Sequence, residues 1–185
     1  MDEMEVPHQY RFGMVADGQD AFVENTLRAH NRLNRSVLHI GSGGSYIVNK
    51  SVSDLSTRVF CGDMSPKAMS NLSRHNFPNV SPLVMDLFAM PFEDESFDLI
   101  LSIGVYPIYR LRTADAPRAL SEFHRVNFKR GELLVCNRLD GDNYSIGAFK
   151  RIAERVGYSV VGENIANDTL GLTDAKQRYV LLLQK

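Results

Sequence analysis

A run of small residues and one carboxylate carry most of the chemistry in this 185-residue chain. The run is Val37-Leu38-His39-Ile40-Gly41-Ser42-Gly43-Gly44-Ser45, an apolar strand feeding a loop nearly free of side chains. Such a loop lets backbone N–H groups approach a phosphate or the polar head of a nucleotide-like ligand. Asp63 follows about twenty residues later, the distance at which ribose-binding folds place an acid. A carboxylate there accepts both hydroxyls of a ribose. It equally suits the turn Asp63-Met64-Ser65-Pro66, where an acid supports the start of a helix. Asp86, with the apolar Leu87 beside it, suits the edge and face of an adenine, or is an ordinary loop acid.

Other chemistries fit less well. Counted from Gly41, the dinucleotide fingerprint GxGxxG meets Tyr46 where its third glycine should allow close helix–strand packing, so NAD is disfavoured. There is no GK[ST] for a phosphate loop and no GxSxG for a hydrolase nucleophile. The histidines (His8, His30, His39, His75, His124) have no metal-ligand spacing, so no metal site is expected. Cys61 and Cys136 lie far apart in apolar runs and read as buried reduced thiols.

Composition narrows the class further. With 44% hydrophobic and 23% charged residues the chain is an ordinary globular one, of about one domain. A net charge of -1 gives no general attraction to nucleic acid or an anionic membrane. The run Arg28, Arg32, Arg35 reads as a solvated helix face; with Arg110 and Arg112 it is the sole local argument for RNA. The acidic start MDEMEVPHQYRFG has no apolar core for a secretory signal, and no apolar run is long enough to span a bilayer. A reducing, cytoplasmic location is expected.

These residues need a scaffold, and the hydrophobic pattern supplies one. Strands are expected near 36–40, 57–62, 80–85, 97–103, 131–136, 158–163 and 178–184. Helices alternate with them. Ser65 caps one that has Pro66 at its first position and Met69 and Leu72 on one face. Pro117 opens another, with Leu120, Phe123 and Val126 spaced by three. Ile146, Phe149, Ile152 and Val156 form a third stripe that ends at Gly157. Residues 17–33 form a weaker helix before the first strand. This predicts a doubly wound, mostly parallel seven-stranded α/β sheet with helices on both faces. The stretch 164–177 has no helical pattern, so the last strand should pair antiparallel. Asp98 reads as a structural acid at the start of a strand. Ligands of such sheets bind beyond the carboxyl ends of the strands, where the glycine loop lies.

Four stretches in this order resemble class I S-adenosylmethionine-dependent methyltransferases, closest to the small-molecule branch that includes quinone-biosynthesis enzymes (a methyltransferase type 11 domain). They are VLHIGSGGS, RVFCGDMSPKAM, PLVMDLFAMPFEDESFDLILS and SEFHRVNFKRGELLV, covering most of the chain from residue 36. The resemblance implies S-adenosylmethionine as cofactor, held along the loop by His39, Gly41, Ser42 and Gly43. It puts Asp63 and Met64 at the ribose, Asp86 and Leu87 at the adenine, and Ser102 beside them. It divides the chain into an N-terminal helical cap, 1–35, and a methyltransferase domain, 36–185.

The departures are specific. His39 stands where the family carries an acid, which removes a charge worth about 1–3 kcal/mol toward an ammonium group. Ser45 replaces the last loop glycine, and Lys129-Arg130-Gly131 replaces a PGG turn. Methyl transfer from a sulfonium needs positioning first and a base only if the acceptor must lose a proton. Candidates for that base or for acceptor contacts are Tyr106, Tyr109 and Asn137, with Arg138 and Asp140 nearby; each tyrosine also suits plain packing. Tyr10 is a candidate to close over the cofactor. About 35 residues before the first strand and no large insertion imply an open cleft, closed by the N-terminal helix, a second subunit or a partner protein. Two functions are therefore carried forward. One is methyl transfer to a small-molecule acceptor; the other is an inactive methyltransferase-like protein that serves as a regulatory or binding subunit.

Overall fold

A computed structural model describes residues 35–43, 46–105, 115–138, 146–167 and 177–185. The N-terminal helical cap with Tyr10, the loop residues Gly44 and Ser45, Tyr106, Tyr109 and Asp140 lie outside these described residues.

Seven strands form one sheet: β1 (Ser36–Ile40), β2 (Arg58–Asp63), β3 (Val80–Val84), β4 (Phe97–Ile103), β5 (Asn127–Arg138), β6 (Ser159–Asn167) and β7 (Gln177–Gln184). Their spatial order is β3-β2-β1-β4-β5-β7-β6. β1 through β5 pair in parallel, whereas β7 runs antiparallel to both β5 and β6. The order reverses between β1 and β4, so the loops leaving those strands diverge and open a crevice at their carboxyl ends. The expected sheet and its antiparallel end are both present.

The described helices are α1 (Tyr46–Asp54), α2 (Pro66–Ser73), α3 (Asp115–Val126) and α4 (Ile146–Val156). They cover both faces. Leu120, Phe123 and Val126 of α3 and Phe149 of α4 pack on Leu38, Ile40, Ile100 and Leu133. Val52 of α1 and Ala68, Met69 and Leu72 of α2 pack on Val37, Val59, Leu99 and Leu134 of the other face. Ser65 caps α2 as expected, its hydroxyl accepting from Ala68 N at 3.2 Å. Gly157 ends α4 with φ +111°, and a side chain there would collide with the His124 ring.

Helix α1 is absent from the sequence expectations, and two local readings need correction. Helix α1 has no clear apolar stripe in sequence, because Asn49 and Ser53 occupy buried positions and are satisfied by hydrogen bonds. Strand β5 starts at Asn127 rather than 131, with a bulge: Phe97 pairs with Asn127, but Leu99 already pairs with Glu132. Within that bulge Arg130 sits at φ +64°. Arg35 is not part of a solvated face; its guanidinium meets the buried Glu132 carboxylate at 2.7 Å. Asp98 is structural as expected, accepting from Ser36 N at 2.9 Å.

Glu132 is only 3% exposed, on a central strand, and the Arg35 guanidinium is one of its partners. Replacing Arg35 by Met removes a charge-assisted bond from a buried carboxylate, and should cost about 3 kcal/mol. Urea unfolding of Arg35→Met against wild type measures this; a loss within the range of a surface substitution would remove the pair from the fold's supports.

Candidate functional site

The loop leaving β1 is shaped by backbone conformation first. Gly41 and Gly43 both have left-handed φ, +62° and +56°, which side-chain-bearing residues adopt only with strain. Gly41 has a second reason to be glycine: a Cβ there would lie 2.7 Å from Val105 Cγ2. The turn is tied to the next strand, since Gly41 N and Ser42 N both donate to Gly62 O, at 2.8 and 3.3 Å. Gly62 in turn leaves room for Met85, whose sulfur would be 2.6 Å from an added Cβ.

Asp63, at the end of β2, joins these pieces. Its Oδ2 accepts from Gly43 N at 3.0 Å and its Oδ1 from Ser65 N at 2.8 Å. Each carboxylate oxygen has a further lone pair available beyond these bonds. Met64 beside it is 60% exposed, an unusual position for a large apolar side chain. The backbone carbonyl of Asp63 also accepts Met85 N, which sets the chain direction one residue before Asp86. Asp86 is exposed and folds back on itself, Oδ1 accepting from Phe88 N at 2.9 Å, while Leu87 is turned into the core.

His39 is 2% exposed and faces α1. Its Nδ1 lies 2.8 Å from Asn49 Oδ1. That amide oxygen only accepts, so Nδ1 carries the proton and Nε2 is the acceptor in the neutral ring. The orientation of Asn49 is consistent with this, since its Nδ2 donates to Ser42 O and its oxygen also accepts from the Cys61 thiol. Burial pushes the His39 pKa down to about 4, against smaller upward pulls from Asn49 and the Asp63 charge. Cys61 is pushed by burial up to about 12. The Ser42 hydroxyl lies close enough to offset that slightly, but it makes no bond of hydrogen-bond geometry among the described residues. Cys61 and Cys136 are both free and buried, as expected.

On the other side of β1, Ser102 pairs with Ile40 and is fully buried, with no hydrogen-bond partner for its hydroxyl among the described residues. Gly104 follows, at φ +66° with its N–H on Cys136 O. A Cβ placed on Gly43 or on Gly104 would meet nothing within 4 Å, so there is open space beside both.

The expected site residues thus fall into one neighbourhood. His39, Gly41, Ser42, Gly43 and Asp63 are linked directly or through one partner, Asp86 and Leu87 follow at the next strand end, and Ser102 flanks the loop from β4. Asn137 and Arg138 lie on β5 opposite Tyr179 and Arg178, with their side chains outside the described ones. Sequence reasoning missed Asn49 and Gly104. An asparagine at a buried helix position, one turn after a glycine loop, was the available signal for the first. The residues present fit an S-adenosyl ligand: open glycine surfaces, a carboxylate with lone pairs to spare and an orphaned hydroxyl. No group of three potential metal ligands occurs among the described residues.

The neutral His39 makes stability depend on pH. Its folded-state pKa, about 4, lies below the ordinary 6.5, so its contribution is fully present above pH 6.5 and is lost as pH falls toward 4. The amount is on the order of 3 kcal/mol. Urea midpoints compared at about pH 7 and about pH 4.5 should therefore fall further for wild type than for His39→Gln. Equal falls would show that His39 is not held neutral.

The methyltransferase-domain family model matches residues 38–135. The human mitochondrial protein arginine-hydroxylase NDUFAF5 is 30% identical over 119 residues, covering 63% of this chain and 32% of that one. The match thus spans about a third of that relative's length. Among solved structures, a Galdieria sulphuraria protein named for sarcosine dimethylglycine methyltransferase superposes with TM-score 0.74 at 15% identity, over 91% of this chain and 85% of the other. An S-adenosylmethionine-dependent methyltransferase from Mesorhizobium loti gives 0.70 at 13%, over 87% and 96%. These two show a shared fold. With more than half of its length inside the family model, the chain belongs to the methyltransferase-domain family.

Proposed function

We propose that the chain transfers a methyl group from S-adenosylmethionine to a small-molecule acceptor, in a reducing, cytoplasm-like compartment. The observation that carries the reading is the bridging carboxylate of Asp63, fixed by Gly43 and Ser65 with lone pairs left for two ribose hydroxyls. In this reading Gly41, Ser42 and Gly43 admit the amino-acid portion of the ligand, and Ser102 is the neighbouring donor. Met64 is the apolar surface for the adenine, with Asp86 at its amino edge; Leu87, expected against the ring, is turned into the core and anchors the turn instead. When bound, the cofactor supplies the electrophilic methyl group; the protein aligns the acceptor and excludes water. A base is needed only for an acceptor that must lose a proton, and Tyr106, Tyr109 and Asn137 are the candidates. Among the described residues no helix is long and apolar enough to cross a membrane. The two buried free thiols support the reducing compartment. Closure of the cleft is assigned to residues 1–35, a second copy or a partner protein.

His39 favours a second reading, in which the chain binds the ligand without methyl transfer. A buried neutral imidazole offers no charge to an ammonium group. The similar human protein is named as a hydroxylase, so a related chain is associated with another reaction.

Asp63 serves both the loop and the ribose, so its variants are read in ligand affinity together with a urea midpoint. Asp63→Ala removes the acceptors for ribose, and should weaken S-adenosylhomocysteine by about thirtyfold or more. Asp63→Asn keeps one acceptor oxygen and should lose less. Unchanged affinity in both would sink the assignment. Release of S-adenosylhomocysteine with a panel of small acceptors distinguishes the two readings.

A further inference from the structure

Between β3 and β4 the chain covers the sheet without a helix, from Met85 to Ser96. Its backbone groups therefore need partners from elsewhere. Two side chains of α3 supply them. Glu122 Oε1 accepts from Met90 N at 2.9 Å. Arg125 donates to Met90 O at 3.1 Å, to Phe92 O at 2.7 Å and to Asp94 Oδ1 at 2.9 Å. The two are locked to each other by a bidentate fork, Nε to Oε2 at 2.9 Å and Nη2 to Oε1 at 2.6 Å. The fork holds the Glu122 carboxyl below its ordinary pKa. A third contact from the same helix lies one turn earlier, where the Arg118 guanidinium sits 4.7 Å from the centre of the Phe88 ring.

The consequence lies at the other end of the segment. Asp86 makes a tight turn, its Oδ1 accepting from Phe88 N and its carbonyl from Ala89 N. The next backbone group along, Met90 N, is the one that Glu122 holds. Leu87 and Met90 are both buried, so the turn is pinned between the core and the fork. We propose that Arg125 and Glu122 are positioning residues that set the base-reading edge of the site, through the segment ending at Asp86 and Leu87. This rests on the reading that Asp86 meets the adenine, with Leu87 anchoring the turn in the core. The pair touches no ligand itself. Its geometry explains why a loop, rather than a helix, holds a recognition edge in place.

Lysine at position 125 keeps the charge but cannot span two carbonyls and a carboxylate at once. Arg125→Lys should therefore loosen the turn while leaving the sheet intact. In the ligand-free protein, hydrogen exchange at the Phe88, Ala89 and Met90 amides should quicken about tenfold or more, with the β1 and β4 amides unchanged. Unchanged exchange at all three amides overturns the proposal whatever the ligand. For specificity, the probes are S-adenosylhomocysteine and S-inosylhomocysteine, which lacks the adenine amino group. Wild type should prefer the first by about tenfold or more, and Arg125→Lys should bring that ratio close to one. Asp86→Ala should reduce the same ratio, and the double variant should add nothing further. Equal weakening of both ligands by Arg125→Lys, with the ratio kept, would make the pair merely structural. If the lysine variant does not fold, Glu122→Ala, which removes both the acceptor for Met90 N and the partner of Arg125, replaces it with the same expected outcomes. Failure of wild type to bind either ligand would overturn the cofactor reading itself, while the exchange result still decides the clamp.

Discussion

The carboxylate of Asp63 is the constraint on which the site depends. Its side chain takes the amide of Gly43 from the loop after β1 and that of Ser65 before α2, and its main-chain carbonyl takes that of Met85 after β3. Three chain segments that leave three adjacent strands are thus referred to one residue. Charge-assisted bonds to backbone N–H groups are among the stronger hydrogen bonds available to a protein. The switch point between β1 and β4 opens the crevice, and Asp63 decides where its rim lies.

The second constraint is the polar cluster under the loop. A histidine in a buried strand position is tolerated because Asn49 accepts its Nδ1 proton and donates to the loop carbonyl of Ser42. The pair thereby ties α1 to the glycine turn, as Asp63 does from the other side. A neutral group, rather than an anion, lies beneath the backbone. Under the proposed reading, this gives the clamp of Glu122 and Arg125 its weight, since it holds the turn at Asp86.

The centre of the sheet was legible because strands such as β4 are buried on both faces, and so read as continuous apolar runs such as FDLILSI. Capped helices were legible for local reasons, Ser65-Pro66 above all. The glycine loop was legible from its composition, and Asp63 from the family resemblance with its spacing in support; its place in the turn was also legible, but its bridge to Gly43 was not. What stayed hidden depends on distant partners. Asn49 and Ser53 blurred the apolar face of α1 because their polar groups are satisfied in three dimensions. The β5 bulge leaves no mark in its composition. Arg35 looked like a surface charge because Glu132 is nearly a hundred residues away. Arg125 was invisible as a clamp, since two of its partners are backbone carbonyls more than thirty residues earlier.

The central claim is that the loop still holds an S-adenosyl ligand although an imidazole has replaced its acid. Calorimetric titration with S-adenosylhomocysteine, with NADH as the control, tests it most directly. The account predicts a dissociation constant on the order of micromolar for the first and no heat of binding for the second. Silence with S-adenosylhomocysteine up to about millimolar concentration would contradict it, and would mark the site as one that no longer takes the cofactor of its family.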